Sequence, residues 1–243
     1  MDHVGVIGLG KMGLPIARNL MARGFRVTGY RRSGSPELAK QGGVTAASPA
    51  EVAAQTDVLL SIVPGAEDVE EIICGPAGTL TALRPGTIHI EMSTIDVDRK
   101  ARLRDQVRAK GGDLLDCPIS GSPGMVAPRL ATTFASGDQG SVETVSQVLD
   151  AISGPWVYTG AFGAGWRPFF FLKAPTTSVM GSRDPIVISS AARARYDWEA
   201  ELAVIIGVKG KNIDAERAGF HVAAYCACND RAAPPPSRST PTR

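Results

Sequence analysis

Three glycines, Gly8, Gly10 and Gly13, stand in G-x-G-x-x-G spacing after the β-branched run Val4 to Ile7 and before a helical pattern from about Met12 to Arg23. In that setting the first glycine permits a tight turn and the second lets a diphosphate approach the backbone. The third lets helix and strand pack closely, while the helix N-terminus supplies N–H donors and the positive end of its dipole. Gly8, Leu9, Gly10, Lys11, Met12 and Gly13 are therefore candidate ligands of a dinucleotide diphosphate; the alternative is a glycine-rich turn that holds nothing. The next strand ends in Arg31, Arg32 and Ser33, where an NAD site would place Asp or Glu on the ribose hydroxyls. A guanidinium forks onto a 2′-phosphate that a carboxylate would repel, so these residues point to NADP rather than NAD. The alternative is that both arginines are solvated loop residues.

Two further groups have the chemistry for small ligands. Ser93-Thr94 and Ser120-Gly121-Ser122 each follow a strand-like run, at the carboxyl edge where open parallel sheets bind ligands, and small residues with N–H and hydroxyl donors suit an anion. Glu199 and Glu201, two apart on an expected strand, share a face, and Asp230 ends a later strand. Three carboxylates suit a hard cation such as Mg²⁺ or Mn²⁺. The alternative is a solvated strand face.

The elements that must position these residues alternate. Strand-like runs Val4 to Ile7, Phe25 to Tyr30, Asp57 to Val63, Thr87 to Met92 and Asp113 to Ile119 are separated by helix-forming segments such as Asp98 to Lys110. This is a βαβ series, which predicts an α/β fold, a Rossmann-type doubly wound parallel sheet, followed by an incomplete β-rich fragment. The expected organisation is a cofactor domain over 1–167, a β fragment over 168–230 and a tail over 231–243.

Composition narrows the class. The chain has 243 residues, 44% of them apolar, and a formal charge of +2. Residues 1–167 carry 16 basic and 17 acidic groups, 168–230 carry 7 of each, and Arg231, Arg238 and Arg243 in the last 13 residues supply the surplus. A body so near neutral gives no reason to expect nucleic acid or an anionic membrane as partner, and the Pro- and Ser-rich tail reads as disordered. No apolar run reaches the roughly 18 residues needed to span a bilayer. The four cysteines lack a C-x-x-C pair, so a reduced, cytoplasmic setting is expected.

The segments GLGKMGLPIARNL, YRRS, SIVPG, EMSTID, DCPISGSPGM and YTGAFGAGWR together resemble the β-hydroxyacid dehydrogenases, the family of 3-hydroxyisobutyrate dehydrogenase and 2-hydroxy-3-oxopropionate reductase, over about residues 2–167. The resemblance implies that Val63 and Pro64 line the cofactor cleft. It also implies that Ser93 and Thr94 approach the nicotinamide ribose, and that Ser120, Gly121 and Ser122 hold the carboxylate of a small hydroxy acid. Two positions depart from the family pattern. Arg129 stands where the family usually has glycine, and Phe169 occupies the position of the catalytic lysine, so no proton donor is left there. The helical domain that follows in the family does not appear.

From about residue 168 the segments FFFLKAPTTSVMGSRDPIV, YDWEAELAVIIG and AAYCACND are similar to the fumarylacetoacetate hydrolases, and there Glu199, Glu201 and Asp230 match the family's metal ligands. Both the segment before that motif and the second half of the β-roll are missing. The expectation is an NADP-binding protein of the hydroxyacid dehydrogenase class without turnover. The alternatives are a metal-dependent hydrolase of acylpyruvate-type substrates, or a catalytically dead fusion or truncation product. Exposed strand edges and the apolar run Leu202 to Ile206 are expected in the unfinished fragment.

Overall fold

The computed structural model describes residues 2–163 and 197–232. The chain divides into two compact units, Met1–Phe171 and Leu172–Arg243.

In the first unit the βαβ series folds as its periodicities require. Strands β1 (His3–Ile7), β2 (Arg26–Tyr30), β3 (Val44–Thr45), β4 (Val58–Ser61), β5 (Ile88–Glu91) and β6 (Asp113–Asp116) form the parallel part of a sheet, in the order β3-β2-β1-β4-β5-β6. The chain starts at β1, steps outward to β2 and β3, then crosses over to β4, so the sheet is doubly wound. Helices α1 (Gly13–Ala22), α3 (Pro49–Gln55), α4 (Ala66–Cys74) and α5 (Val97–Ala109) make the crossovers, with a short α2 (Pro36–Ala39) between β2 and β3.

Alternation along the strands feeds two cores. Val58 and Leu60 join Ile16, Ala17 and Leu20 of α1 on one face, whereas Leu59 packs with Val52, Val69, Ile73, Leu103 and Val107 of α3, α4 and α5 on the other. Such continuously apolar strands are the signature of a sheet covered on both sides.

The far edge departs from the expected all-parallel sheet. The single strand expected over 113–119 is split at Pro118, which lacks an N–H for the ladder. Beyond it β7 (Ile119–Ser120) and β8 (Thr132–Ser136) pair antiparallel, and β8 also pairs antiparallel with β6. Only α6 (Pro123–Val126) lies between β7 and β8, too short a connection for a parallel crossover. Helices α7 (Gln139–Thr144) and α8 (Ser146–Ile152) then lead to β9 (Trp156–Gly160), parallel to β8.

Arg129 has a φ of 60°, in the left-handed region that glycine adopts most readily. The arginine tolerates it because its guanidinium donates to the Asp150 carbonyl at 2.6 Å and the Ser153 carbonyl at 3.2 Å, at the C-terminal end of α8, where a cation is favoured.

The second unit contributes one antiparallel ladder of β10 (Asp197–Ile206) and β11 (Val222–Ala232), joined through the 3₁₀ segment Ala215–His221. Leu202, Ile206, Phe220 and Tyr225 are all more than half exposed. No helix among the described residues is long and apolar enough to cross a membrane. Phe169 and the expected tail beyond residue 232 lie outside the described residues.

We predict that Arg129→Ala lowers the stability of the chain by about 1–3 kcal/mol, because the strained φ remains while two charge-assisted hydrogen bonds are lost. Urea denaturation of the two proteins measures the difference; equal midpoints would remove the structural role given to the guanidinium.

Candidate functional site

At the carboxyl ends of β1, β2 and β4 the first unit opens a cleft of about 700 Å³. Its floor is the loop from Gly8 to Gly13. Gly8 has φ 99° and its N–H donates to the Tyr30 carbonyl at 2.9 Å, while a Cβ there would overlap the Ile62 carbonyl oxygen. A Cβ at Gly13 would overlap the Gly8 carbonyl oxygen, so helix α1 sits hard against the strand end. Gly10 is different: a Cβ there would meet nothing within 4 Å, because the residue faces the open cleft. The amide N–H groups of Lys11, Met12 and Gly13 make no hydrogen bond within the described residues. They are unpaired donors at the start of a ten-residue helix, which is a fit for a diphosphate.

The cleft gathers most of the residues singled out from sequence. Gly8, Leu9, Gly10, Lys11, Met12, Gly13, Arg31, Arg32, Val63 and Pro64 all line it, whereas Ser33, Ser93, Thr94, Ser120, Gly121 and Ser122 do not. It also draws in residues that sequence reasoning missed, namely Ala47, Ser48 and Pro49 before and at the start of α3, Asp68, Glu71 and Ile72 on α4, and Gly75 to Ala77 beyond it. No motif marks these; only the strand order, which sets β2 and β4 on either side of β1, brings them to the same opening.

Arg32 is not free in this cleft. Its Nη2 donates to Asp68 Oδ1 at 3.1 Å and to Glu71 Oε2 at 2.6 Å. Arg31 is exposed and has no ion-pair partner among the described residues.

Behind the cleft lies a buried polar row. Register places Ile7 beside Ser61, Ser61 beside Glu91, and Glu91 beside Asp116, all at the ends of their strands. Ser61, His89, Glu91, Ser93, Lys100 and Asp116 are all buried. Ser61 donates to Glu91 and, with its one proton so used, accepts from His89 Nε2 at 2.8 Å. That hydrogen-bond pattern assigns His89 as the neutral Nε2–H tautomer. Glu91 Oε1 accepts the Ser93 N–H at 2.6 Å, and Ser93 Oγ in turn accepts the Val63 N–H at 2.9 Å. Ser93 therefore braces the cleft wall at Val63 instead of opening onto the cleft. Lys100 on α5 reaches inward to Asp116 Oδ1 at 2.6 Å. Ser61 stands between His89 and Glu91, so the three do not form a relay that would make the serine a nucleophile.

Burial pushes the Glu91 carboxyl up, opposed by the Lys100 ammonium and by hydrogen bonds from Ser61 and Ser93. Burial pushes His89 down to about 4. The Cys117 thiol, buried at the start of the β6–β7 link, is also pushed up and is held inert by desolvation.

In the second unit, register sets Glu199 opposite Asp230 and Glu201 opposite Cys228. The side chains of Glu199 and Asp230 lie outside what is described; Glu201 is exposed. No group of three or more His, Cys, Asp or Glu residues able to hold a metal is found among the described residues.

The profile of the NAD binding domain of 6-phosphogluconate dehydrogenase matches residues 3–160. A second profile, the C-terminal region of fumarylacetoacetate hydrolase, matches residues 137–238. That second match begins well before residue 168 and overlaps the first over 137–160, the stretch of α7, α8 and β9, of which β9 pairs with β8 in the large sheet. The chain is 32% identical over 166 residues to mouse mitochondrial 3-hydroxyisobutyrate dehydrogenase, covering 67% of this chain and 49% of that protein. It is 31% identical to mouse cytokine-like nuclear factor N-PAC, covering 66% of this chain and 29% of the other. Among solved structures, 3-hydroxyisobutyrate dehydrogenase of Mycobacterium tuberculosis with L-serine superposes with a TM-score of 0.63 at 30% identity, covering 68% of this chain and 56% of that one. The chain thus spans about half or less of the length of these curated relatives.

The sign of the His89 effect follows from its lowered value. A histidine that is harder to protonate when folded stabilises the fold above its unfolded value near 6.5, and that stability is lost as pH falls toward 4. We predict that the native chain loses about 2 kcal/mol more than His89→Gln between pH 7 and pH 5. Urea titrations of both proteins at the two pH values test this, and parallel losses would show that His89 does not titrate in that window.

Proposed function

Because the chain belongs to the family of the NAD binding domain of 6-phosphogluconate dehydrogenase, we propose that its first unit binds a nicotinamide dinucleotide, NADP in preference to NAD. The observation that carries this reading is the floor of the cleft, where Gly10 borders open space and the N–H groups of Lys11, Met12 and Gly13 have no partner. Those amides would hold the diphosphate, with the dipole of α1 behind them. Arg31 and Arg32 would take a 2′-phosphate, and no carboxylate follows β2 at the place where ribose hydroxyls are usually bound. Ala47 to Pro49, Ile72 and Gly75 to Ala77 supply an apolar wall suited to an adenine.

When bound, such a cofactor supplies or accepts a hydride. Val63 and Pro64 would flank its nicotinamide end, with Ser93 and Glu91 fixing the Val63 backbone from behind. Likeness to hydroxyacid dehydrogenases supports a small hydroxy acid as the ligand beside it, with Ser120, Gly121 and Ser122 as carboxylate donors. Ser120 ends the short strand β7 and Gly121 and Ser122 follow it, all three outside the cleft lining, so the proposed carboxylate subsite would lie beyond the dinucleotide cleft. We further propose that binding is not followed by turnover. The position of the family's proton donor holds Phe169, and a phenyl ring has no proton to exchange with a hydroxyl oxygen.

Two measurements test the reading. In fluorescence titrations the full chain is expected to bind NADPH more tightly than NADH, and Gly10→Ala is expected to weaken both by at least about tenfold without loss of fold, because the methyl enters the diphosphate space. Preference for NADH, or no binding of either, would overturn the assignment. With 3-hydroxyisobutyrate or tartronate semialdehyde and saturating cofactor, the expected outcome is no turnover; a rate of about 1 s⁻¹, within the ordinary range of enzymes, would contradict it.

A further inference from the structure

We propose that Glu71, together with Asp68, is a specificity-determining residue of the dinucleotide cleft: it occupies Arg32 and thereby limits how strongly the site favours a 2′-phosphorylated dinucleotide. The inference rests on the reading of the cleft given above.

The two carboxylates and the two arginines line one opening. Asp68 and Glu71 are three apart on α4, so they project from the same side of that helix. Arg32 leaves the end of β2, and β2 and β4 flank β1 in the sheet. The ion pairs at 3.1 Å and 2.6 Å therefore run from the β2 side to the helix that follows β4, straddling the glycine loop at the carboxyl end of β1. The lining brings three positive charges, Lys11, Arg31 and Arg32, against two negative ones, Asp68 and Glu71, so the acid pair offsets most of the field that a phosphate would meet.

The consequence depends on the incoming group. A 2′-phosphate carries close to two negative charges and gains most from a guanidinium whose donors are free. Here Arg32 must release a carboxylate before it can fork onto phosphate, and the released carboxylate remains nearby as a like charge. A ribose 2′-hydroxyl is neutral and is spared both effects. The acid pair thus discriminates against NADP relative to what two free arginines would give, leaving Arg31 as the ready phosphate ligand.

The two acids are not equivalent. Asp68 lies in the first turn of α4, where the helix dipole favours a negative charge, and its side chain is 33% exposed. Glu71 lies a turn further on, outside that favourable field, and is 63% exposed. An exposed ion pair is weak and easily exchanged, so Glu71 is the partner that yields, and the one whose replacement leaves the helix intact.

The test uses the full chain, with NADPH and NADH as probes at low ionic strength, where exposed charges are least screened. Glu71→Gln is expected to bind NADPH about threefold to tenfold more tightly than the native chain, while NADH affinity changes less than twofold. In an Arg32→Gln background the same Glu71→Gln change is expected to gain less than twofold, because the arginine it frees is gone. The proposal is overturned if Glu71→Gln leaves NADPH affinity unchanged, if NADH gains equally, or if the gain persists in full without Arg32. Failure of the native chain to bind either dinucleotide would instead bring down the reading of the cleft on which the proposal stands. Native preference for NADPH with an unresponsive Glu71→Gln would leave that reading in place and remove this one.

Discussion

The last row of the large sheet is the constraint on which the cleft depends. Tyr30, Ile7, Ser61, Glu91 and Asp116 stand side by side in register, one from each of five parallel strands. The loops that follow β1, β2 and β4 leave from this row and line the opening, so the row sets where they begin. Its β1 side is apolar and packs into the cores, whereas its other side is a chain of buried polar groups. Buried polar groups are costly unless hydrogen-bonded, and here most bonds are made within the row or to the loops directly above it. Glu91 is the hub: it receives the Ser61 hydroxyl and the Ser93 N–H, and Ser93 passes the constraint to Val63. The wall of the cleft is thereby tied to the sheet interior by two hydrogen bonds, not left to a free loop.

A polar row of this kind is specific more than it is stabilising. The Lys100–Asp116 pair is fully buried, and the cost of desolvating two charges can match what their attraction returns. Asp116 Oδ2 and His89 Nδ1 are left without partners among the described residues. The row tolerates such losses because any slip of register by one residue would turn the apolar neighbours Leu60, Ile90 and Leu115 away from their core. Pairing of polar groups and segregation of apolar ones therefore select the same register.

The floor of the cleft shows the complementary device. Gly8 and Gly13 are required by close approach of backbone to backbone, while Gly10 is required by nothing inside the protein. A residue that could be larger without any clash, next to unpaired amides, marks space shaped for something else. The rim then adds charge of both signs, from Arg31 and Arg32 on one side and Asp68 and Glu71 on the other, so the electrostatic character of the opening comes from helix α4 as much as from the strand that the arginines follow.

Much of this was legible in the sequence because local rules carry it. Strand and helix alternation gave the parallel sheet from β1 to β6, and the glycine spacing located the turn, since both depend on periods and on residue types a few positions apart. The strand expected over 113–119 ran through Pro118, where the structure breaks it, and the direction of β7 and β8 depends on connection length and pairing partners. The capture of Arg32 by α4 involves residues 36 and 39 positions away, and the burial of Lys100 reverses the bias of its helix toward solvent. What the amino-acid sequence determined by itself was the set of elements, the binding loop and the basic residues after β2. What only the tertiary structure decided was which of those residues are free to bind, because that rests on partners brought close by strand order, a relation no local spacing encodes.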